Sequence, residues 1–108
     1  MKCVYSIKCN DPNITEIYIG STIQYETRIR LHKIKCNNIK YNKYNKLYKF
    51  INNNGGIDNW SFVIEENCEE LNKKELRELE QIYIDLLKPQ LNTNLQVNKI
   101  PYFAFYRK

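Results

Sequence analysis

The sequence predicts an α+β domain. Three observations carry that expectation. Short alternating runs at 3–9, 16–20 and 60–66 have the period of strands, and three longer runs carry helical periodicity. The chain has 108 residues, which supports one modest core and not two.

The first run, CVYSIKC, places Cys3, Tyr5, Ile7 and Cys9 on one face. NDPN at 10–13 is a turn signal, because Asn and Asp tolerate turn geometry and Pro12 fixes its own φ. EIYIG at 16–20 follows, with Ile17 and Ile19 facing one way and Tyr18 the other, so the two runs read as a β-hairpin with a longish loop. Register decides whether Tyr5 and Tyr18 share a face. Direct opposition or a slip of two residues puts both hydroxyls together, whereas a slip of one separates them. Burial of Ile17 and Ile19 on the opposite face favours the shared arrangement.

Ser21-Thr22-Ile23-Gln24 fits a capping box and predicts a helix from Thr22 to about Cys36. Its expected core stripe is Ile23, Thr27, Leu31 and Ile34. Arg28 and His32, four residues apart, fall on the neighbouring stripe, at the shoulder of the buried face. A basic, asparagine-rich link leads to Tyr44, Leu47, Tyr48 and Ile51, the stripe of a second helix stopped near Gly55. WSFVIEE at 60–66 alternates Trp60, Phe62 and Ile64 as a third strand. The third helix has Asn72 at its N-cap, Glu75 at N3 and a Leu71–Leu76 staple, and it ends by Lys88-Pro89. Residues 1–95 make the expected domain. Residues 96–108 form an aromatic tail suited to an added edge strand or to pairing with a second copy of the chain.

The formal net charge is +5, which suits a polyanionic partner. No apolar run approaches the roughly 20 residues of a membrane span, so no membrane association is expected. The opening MKCVYSIKCNDPN is too broken in its apolar stretch for a secretion signal. The expectation is an intracellular protein, cytoplasmic or nuclear and not secreted. Its four cysteines show no Cys-x-x-Cys spacing and read as ordinary reduced thiols rather than zinc ligands or disulfides.

One carboxylate is out of place. On the third helix Leu76, Leu79, Tyr83 and Leu87 form an apolar stripe, and Glu80 lies within it. A carboxylate withdrawn from water needs a cation, a metal or a hydrogen-bond network, since desolvation costs several kcal/mol. A salt bridge at the stripe's rim answers that need as readily as a metal site. A basic residue on a helix flank is ordinarily solvated, a lone histidine is ordinarily surface or satisfied core, and tyrosines in strands ordinarily pack. What distinguishes this chain is their order.

That order resembles the GIY-YIG nuclease family over nearly the whole chain. Val4-Tyr5 within CVYSI corresponds to the family's first element, with Cys3 in place of its glycine. Tyr18-Ile19-Gly20 preserves the second and is followed by Ser21-Thr22; Arg28 and His32 keep the family's spacing. Glu80 in EQIYI matches the metal glutamate, and Asn92 in KPQLN the downstream asparagine. The run LYKFINNNGGIDNW resembles stand-alone members from large DNA viruses. The resemblance implies a three-stranded antiparallel sheet flanked by helices. It also implies a DNA endonuclease that uses one divalent ion, Mg2+ or Mn2+, held by Glu80. Arg28 would neutralise phosphoryl charge, Tyr5 or Tyr18 would be the base for the attacking water, and His32 would orient that tyrosine or relay its proton. Gly20, Ser21 and Asn92 complete the implied set as substrate-binding positions, Gly20 by ending its strand in a close turn. The competing reading is a non-catalytic basic module that grips nucleic acid through phosphates and stacking, and RNA remains open as a substrate.

Overall fold

The computed structural model describes residues 1–92. Three strands, β1 (Cys3–Cys9), β2 (Ile17–Thr22) and β3 (Trp60–Asn67), form one antiparallel sheet in the order β2-β1-β3. Helices α1 (Tyr25–Cys36), α2 (Ile39–Asn42) and α3 (Lys46–Asn53) pack together, and α4 (Lys73–Leu87) follows β3. The predicted α+β class and antiparallel sheet are what the chain adopts. The aromatic tail at 96–108 lies outside the described residues.

The sheet divides the core into two layers. Cys3, Tyr5 and Ile7 project to one side, where Cys36 of α1 and Leu47, Tyr48 and Ile51 of α3 bury against them with Trp60 and Leu91. Val4 and Ile19 project to the other, against Leu76 of α4 and Cys68. Alternation at a period of two makes this division, so the hairpin register fixes it. Tyr5 pairs with Gly20 and Ile7 with Tyr18, a slip of two that puts both tyrosines on the α1–α3 side.

α4 follows its sequence signals closely. Asn72 accepts from the Glu75 backbone N–H (2.8 Å) and Glu75 accepts from that of Asn72 (2.9 Å), closing the capping box. Lys88 ends the helix at φ 48°, the left-handed residue before Pro89. Leu87, placed in the apolar stripe by periodicity, is instead exposed.

α1 departs from its prediction in both start and rotation. Thr22 stays in β2, paired with Cys3, and the Tyr25 N–H donates to the Met1 carbonyl. The helix therefore begins at Tyr25 after Gln24, which makes no side-chain cap bond. Ladder pairing has overridden a local capping box, and the Thr22 hydroxyl accepts from the Gln24 N–H. The inward face is Tyr25, Ile29, His32 and Cys36. The expected stripe points outward instead, with Ile23, Leu31 and Ile34 each more than a third exposed. Two further differences follow from chain direction. The link after α1 forms the short α2, capped by Asn38, and Tyr44 lies ahead of α3 and is exposed.

Asn92 closes the outer edge of β2. Its Oδ1 accepts from the Ile19 N–H (2.8 Å) and its Nδ2 donates to the Ile19 carbonyl (2.6 Å), as a neighbouring strand would. Asn92→Ala removes both bonds and leaves the Ile19 groups partnerless. The expected cost is about 1–3 kcal/mol, read as a lower urea midpoint with an unchanged slope. An unchanged midpoint would show that solvent replaces the clamp without penalty.

Candidate active site

The site begins with a buried imidazole. His32, on the inward face of α1, is 5% exposed. The rings of Tyr5, Tyr18 and Tyr48 meet it edge-on at 5.8–5.9 Å, and Phe62 stacks at 6.2 Å. Its Nε2 lies 2.8 Å from the Tyr5 hydroxyl and its Nδ1 2.8 Å from that of Tyr48. Burial, with Arg28 and Lys35 adding, pushes its pKa down to about 4, so the ring is neutral at physiological pH. His32 therefore lies deeper than the shoulder position that periodicity assigned.

Gly20 explains how Tyr5 reaches that imidazole. A Cβ at Gly20 would stand 2.7 Å from both Cζ and the hydroxyl of Tyr5, and 3.0 Å from Cε2 of Tyr18. The glycine is buried beneath the tyrosine ring, and β2 continues past it to Thr22. The expectation of a strand-ending turn there is corrected: Gly20 lies within β2 and makes room for Tyr5.

The two tyrosines differ in access. Tyr5 is 1% exposed, whereas Tyr18 is only partly buried. Burial pushes both phenols above their ordinary range. Tyr18 adds to the rise at Tyr5, and the Glu80 charge adds to that at Tyr18. Arg28 opposes the rise at both. Arg28 itself is exposed, and among the described residues no carboxylate pairs with it.

Glu80 arrives from the opposite layer. Ser21 projects to the α4 side of the edge strand, and its hydroxyl donates to the Glu80 carboxylate. The carboxylate is half-buried, and among the described residues no Lys, Arg or His lies within ion-pair distance of it. Ser21 thus supports the carboxylate. The side-chain amide of Asn92 is engaged by the Ile19 backbone. The site consequently straddles the edge strand, with phenols, imidazole and guanidinium on one side and the carboxylate on the other. No group of three or more His, Cys, Asp or Glu side chains able to hold a metal occurs among the described residues. A half-buried carboxylate without a counter-cation, offering hard oxygen, fits one Mg2+-like ion completed by water.

Tyr48 is the member that sequence reasoning missed. It entered only as a position in a helical stripe. The available signal was a hydroxyl in that stripe, in a chain whose one histidine needs two partners.

The model of the GIY-YIG catalytic domain matches residues 1–94. The chain belongs to the GIY-YIG nuclease family. Two solved structures share the fold. One is the catalytic domain of the homing endonuclease I-TevI, at 21% identity and a TM-score of 0.69, covering 87% of this chain and 96% of that one. The other is a glutamate-to-alanine mutant of the intron endonuclease I-TevI catalytic domain, at 22% identity and 0.67, covering 89% and 98%. No curated protein sequence matches. The GIY-YIG elements of this chain are thus the two paired tyrosine strands, and its nuclease function follows from the family.

Two measurements check the geometry. Because the folded His32 pKa is about 4 against an ordinary 6.5, the unfolded chain takes up a proton that the folded chain refuses. Stability should fall by roughly 3 kcal/mol as pH drops from 6.5 to 4. Glu65 is held below the usual carboxylate range by the Ser6 hydroxyl and by Lys8, and its loss adds only below about 4.5. Urea titrations of wild type and His32→Gln should diverge in slope between pH 6.5 and 4.5; parallel curves would place the imidazole in solvent. Gly20→Ala should cost about 1–3 kcal/mol by displacing the Tyr5 ring and should depress cleavage with it. Wild-type stability and cleavage in that variant would refute the close approach.

Proposed function

We propose that this GIY-YIG domain is a metal-dependent endonuclease that hydrolyses DNA phosphodiester bonds by in-line attack of water. The observation that carries the reading is the half-buried Glu80 carboxylate, fixed by Ser21 and without a counter-cation among the described residues, beside the strand that bears Tyr18. Glu80 would hold a single Mg2+ or Mn2+, which would supply positive charge for the phosphoryl group and the leaving 3′ oxygen. The likeness to two endonuclease catalytic domains supports the same reading.

The chain's own residues supply the rest. Arg28 presents an exposed guanidinium that no carboxylate among the described residues pairs with, suited to the non-bridging oxygens of a phosphate. Tyr18 offers the more accessible phenol as proton acceptor for the attacking water. In the protein alone that phenol is pushed up, so its work as a base requires cationic charge beyond Arg28. Tyr5 and His32, both buried, hold the ring array in place and exclude water behind it.

The charge pattern supports a polyanionic substrate. From Thr27 to Ile57 the chain carries eight Lys and Arg residues and no Asp or Glu. That stretch includes most of α1, all of α2 and α3, on the same side of the sheet as the tyrosines. From Asp58 to Asp85 nine acids face three cations. A nucleic acid approaching the tyrosines from the α1–α3 side meets a positive surface.

Glu80→Gln keeps an oxygen for the Ser21 hydroxyl and removes the charge. Supercoiled plasmid with Mg2+ should be nicked by wild type and about 100-fold or more slowly by the variant, with DNA binding retained. Equal nicking by both would discard the metal glutamate. Salt-sensitive binding with no cleavage by wild type under Mg2+ or Mn2+ would favour the non-catalytic binding module.

A further inference from the structure

The link between α1 and α3 turns two aromatic rings to the solvent. Tyr44 is 80% exposed and Tyr41 44%. One exposed tyrosine needs no explanation. These two, however, line a single open hollow of about 260 Å3, together with Lys40 and Asn45. Each ring also has an ammonium beside it. Lys35, from the last turn of α1, places Nζ 5.4 Å from the centroid of the Tyr41 ring, and Nζ of Lys43 lies 5.7 Å from that of Tyr44.

Asparagines fix the backbone behind the rings. Asn38 accepts from the Lys40 N–H (2.9 Å), and Asn42 donates to the Cys36 carbonyl at the end of α1 (2.9 Å). Asn45 accepts from the Tyr48 N–H at the start of α3 (3.2 Å). The Tyr44 N–H donates to the Tyr41 carbonyl (3.2 Å), which keeps the two residues one turn apart. The rings therefore stand on a hydrogen-bonded turn, and little order has to be created when something binds them.

The chemistry of the hollow selects its occupant. It offers flat apolar rings and ammonium groups, within a stretch from Thr27 to Ile57 that holds no Asp or Glu. An apolar peptide would use the rings alone, and an acidic one the lysines alone. A nucleic-acid strand uses both, with bases on the rings and phosphates at the ammoniums. Inside a duplex each base is already covered by its neighbours, so the base that reaches a tyrosine ring is an unpaired one. The distance to the site fits as well. Lys35 follows Arg28 by two turns of α1 on the same face, about 10 Å along the helix axis. That is about three phosphate spacings of one strand. A strand with a phosphate at Arg28 thus reaches Tyr41 a few nucleotides away.

We propose that Tyr41 and Tyr44 form a stacking platform for unpaired DNA bases, and that the substrate of this domain carries a single-stranded segment close to the phosphate to be cut. The statement about the substrate rests on the nuclease reading, whereas the platform itself does not.

Binding of the full-length protein, without divalent ions, is followed by fluorescence anisotropy on two DNAs with equal numbers of phosphates. One is a fully paired duplex, and the other is a duplex with a single-stranded overhang. The wild type should hold the overhang DNA about tenfold more tightly, and 2-aminopurine in the overhang should lose fluorescence on binding. The double variant Tyr41→Leu, Tyr44→Leu keeps apolar bulk and removes both ring faces. It should lose the preference and the fluorescence change, with duplex affinity and urea midpoint unaltered. Tyr44→Leu alone, at the more exposed ring, should lose part of the preference. With Mg2+, cleavage of the overhang DNA at low concentration should fall about tenfold in the double variant. Equal wild-type affinity for the two DNAs would overturn the platform, as would a preference that survives in both variants. An inert wild type that shows the preference, and loses it in the double variant, would reject the nuclease reading and uphold the platform. A wild type that cuts and binds both DNAs equally would do the reverse.

Discussion

The arrangement of this domain depends on keeping one imidazole neutral and fully hydrogen-bonded inside an aromatic box. His32 brings two polar nitrogens into a layer otherwise built from Tyr5, Tyr18, Tyr48 and Phe62 rings. Left without partners, those nitrogens would oppose folding by more than a typical hydrogen bond contributes. The phenols on either side remove that penalty. In doing so they join α1, β1 and α3, three elements far apart in sequence, through 2.8 Å bonds. The rotation of α1 follows from this constraint: the helix turns the histidine inward although an apolar stripe of equal length was available on another face.

β2 is the second organising element, because it serves both layers. Tyr18 and Gly20 face the imidazole, while Ile17 and Ile19 face α4 and Ser21 holds Glu80. An edge strand with unpaired backbone groups would be a poor platform for such a site. The amide of Asn92, with help from Gln90 at Ile17, occupies those groups and holds the strand in register. The asparagine matched by the family resemblance thus bonds to the backbone of the strand that bears Tyr18.

Much of this was legible because the relevant physics is local. The capping box at Asn72, the helix stop before Pro89 and the alternation in the hairpin each specify their element within a few residues. Glu80 was visible as a charge within an apolar stripe. The failures share a different cause. The start of α1 was decided by Cys3 pairing with Thr22, and its rotation by phenols from β1 and α3. Helical periodicity sees neither. Gly20 read as a turn because the ring that occupies its missing side chain comes from another strand. Tyr48 read as packing because a hydroxyl carries no periodic signature.

The unequal distribution of charge along the chain has a consequence for encounter. With its cations gathered between Thr27 and Ile57 and its acids between Asp58 and Asp85, the domain carries a lasting electric dipole across the sheet. In the field of a long polyphosphate such a body rotates before it touches, and α4 is turned toward the solvent. Under the proposed function, the edge of β2, where the two layers meet, would then come alongside the strand during approach, and fewer collisions would arrive with the acidic flank first.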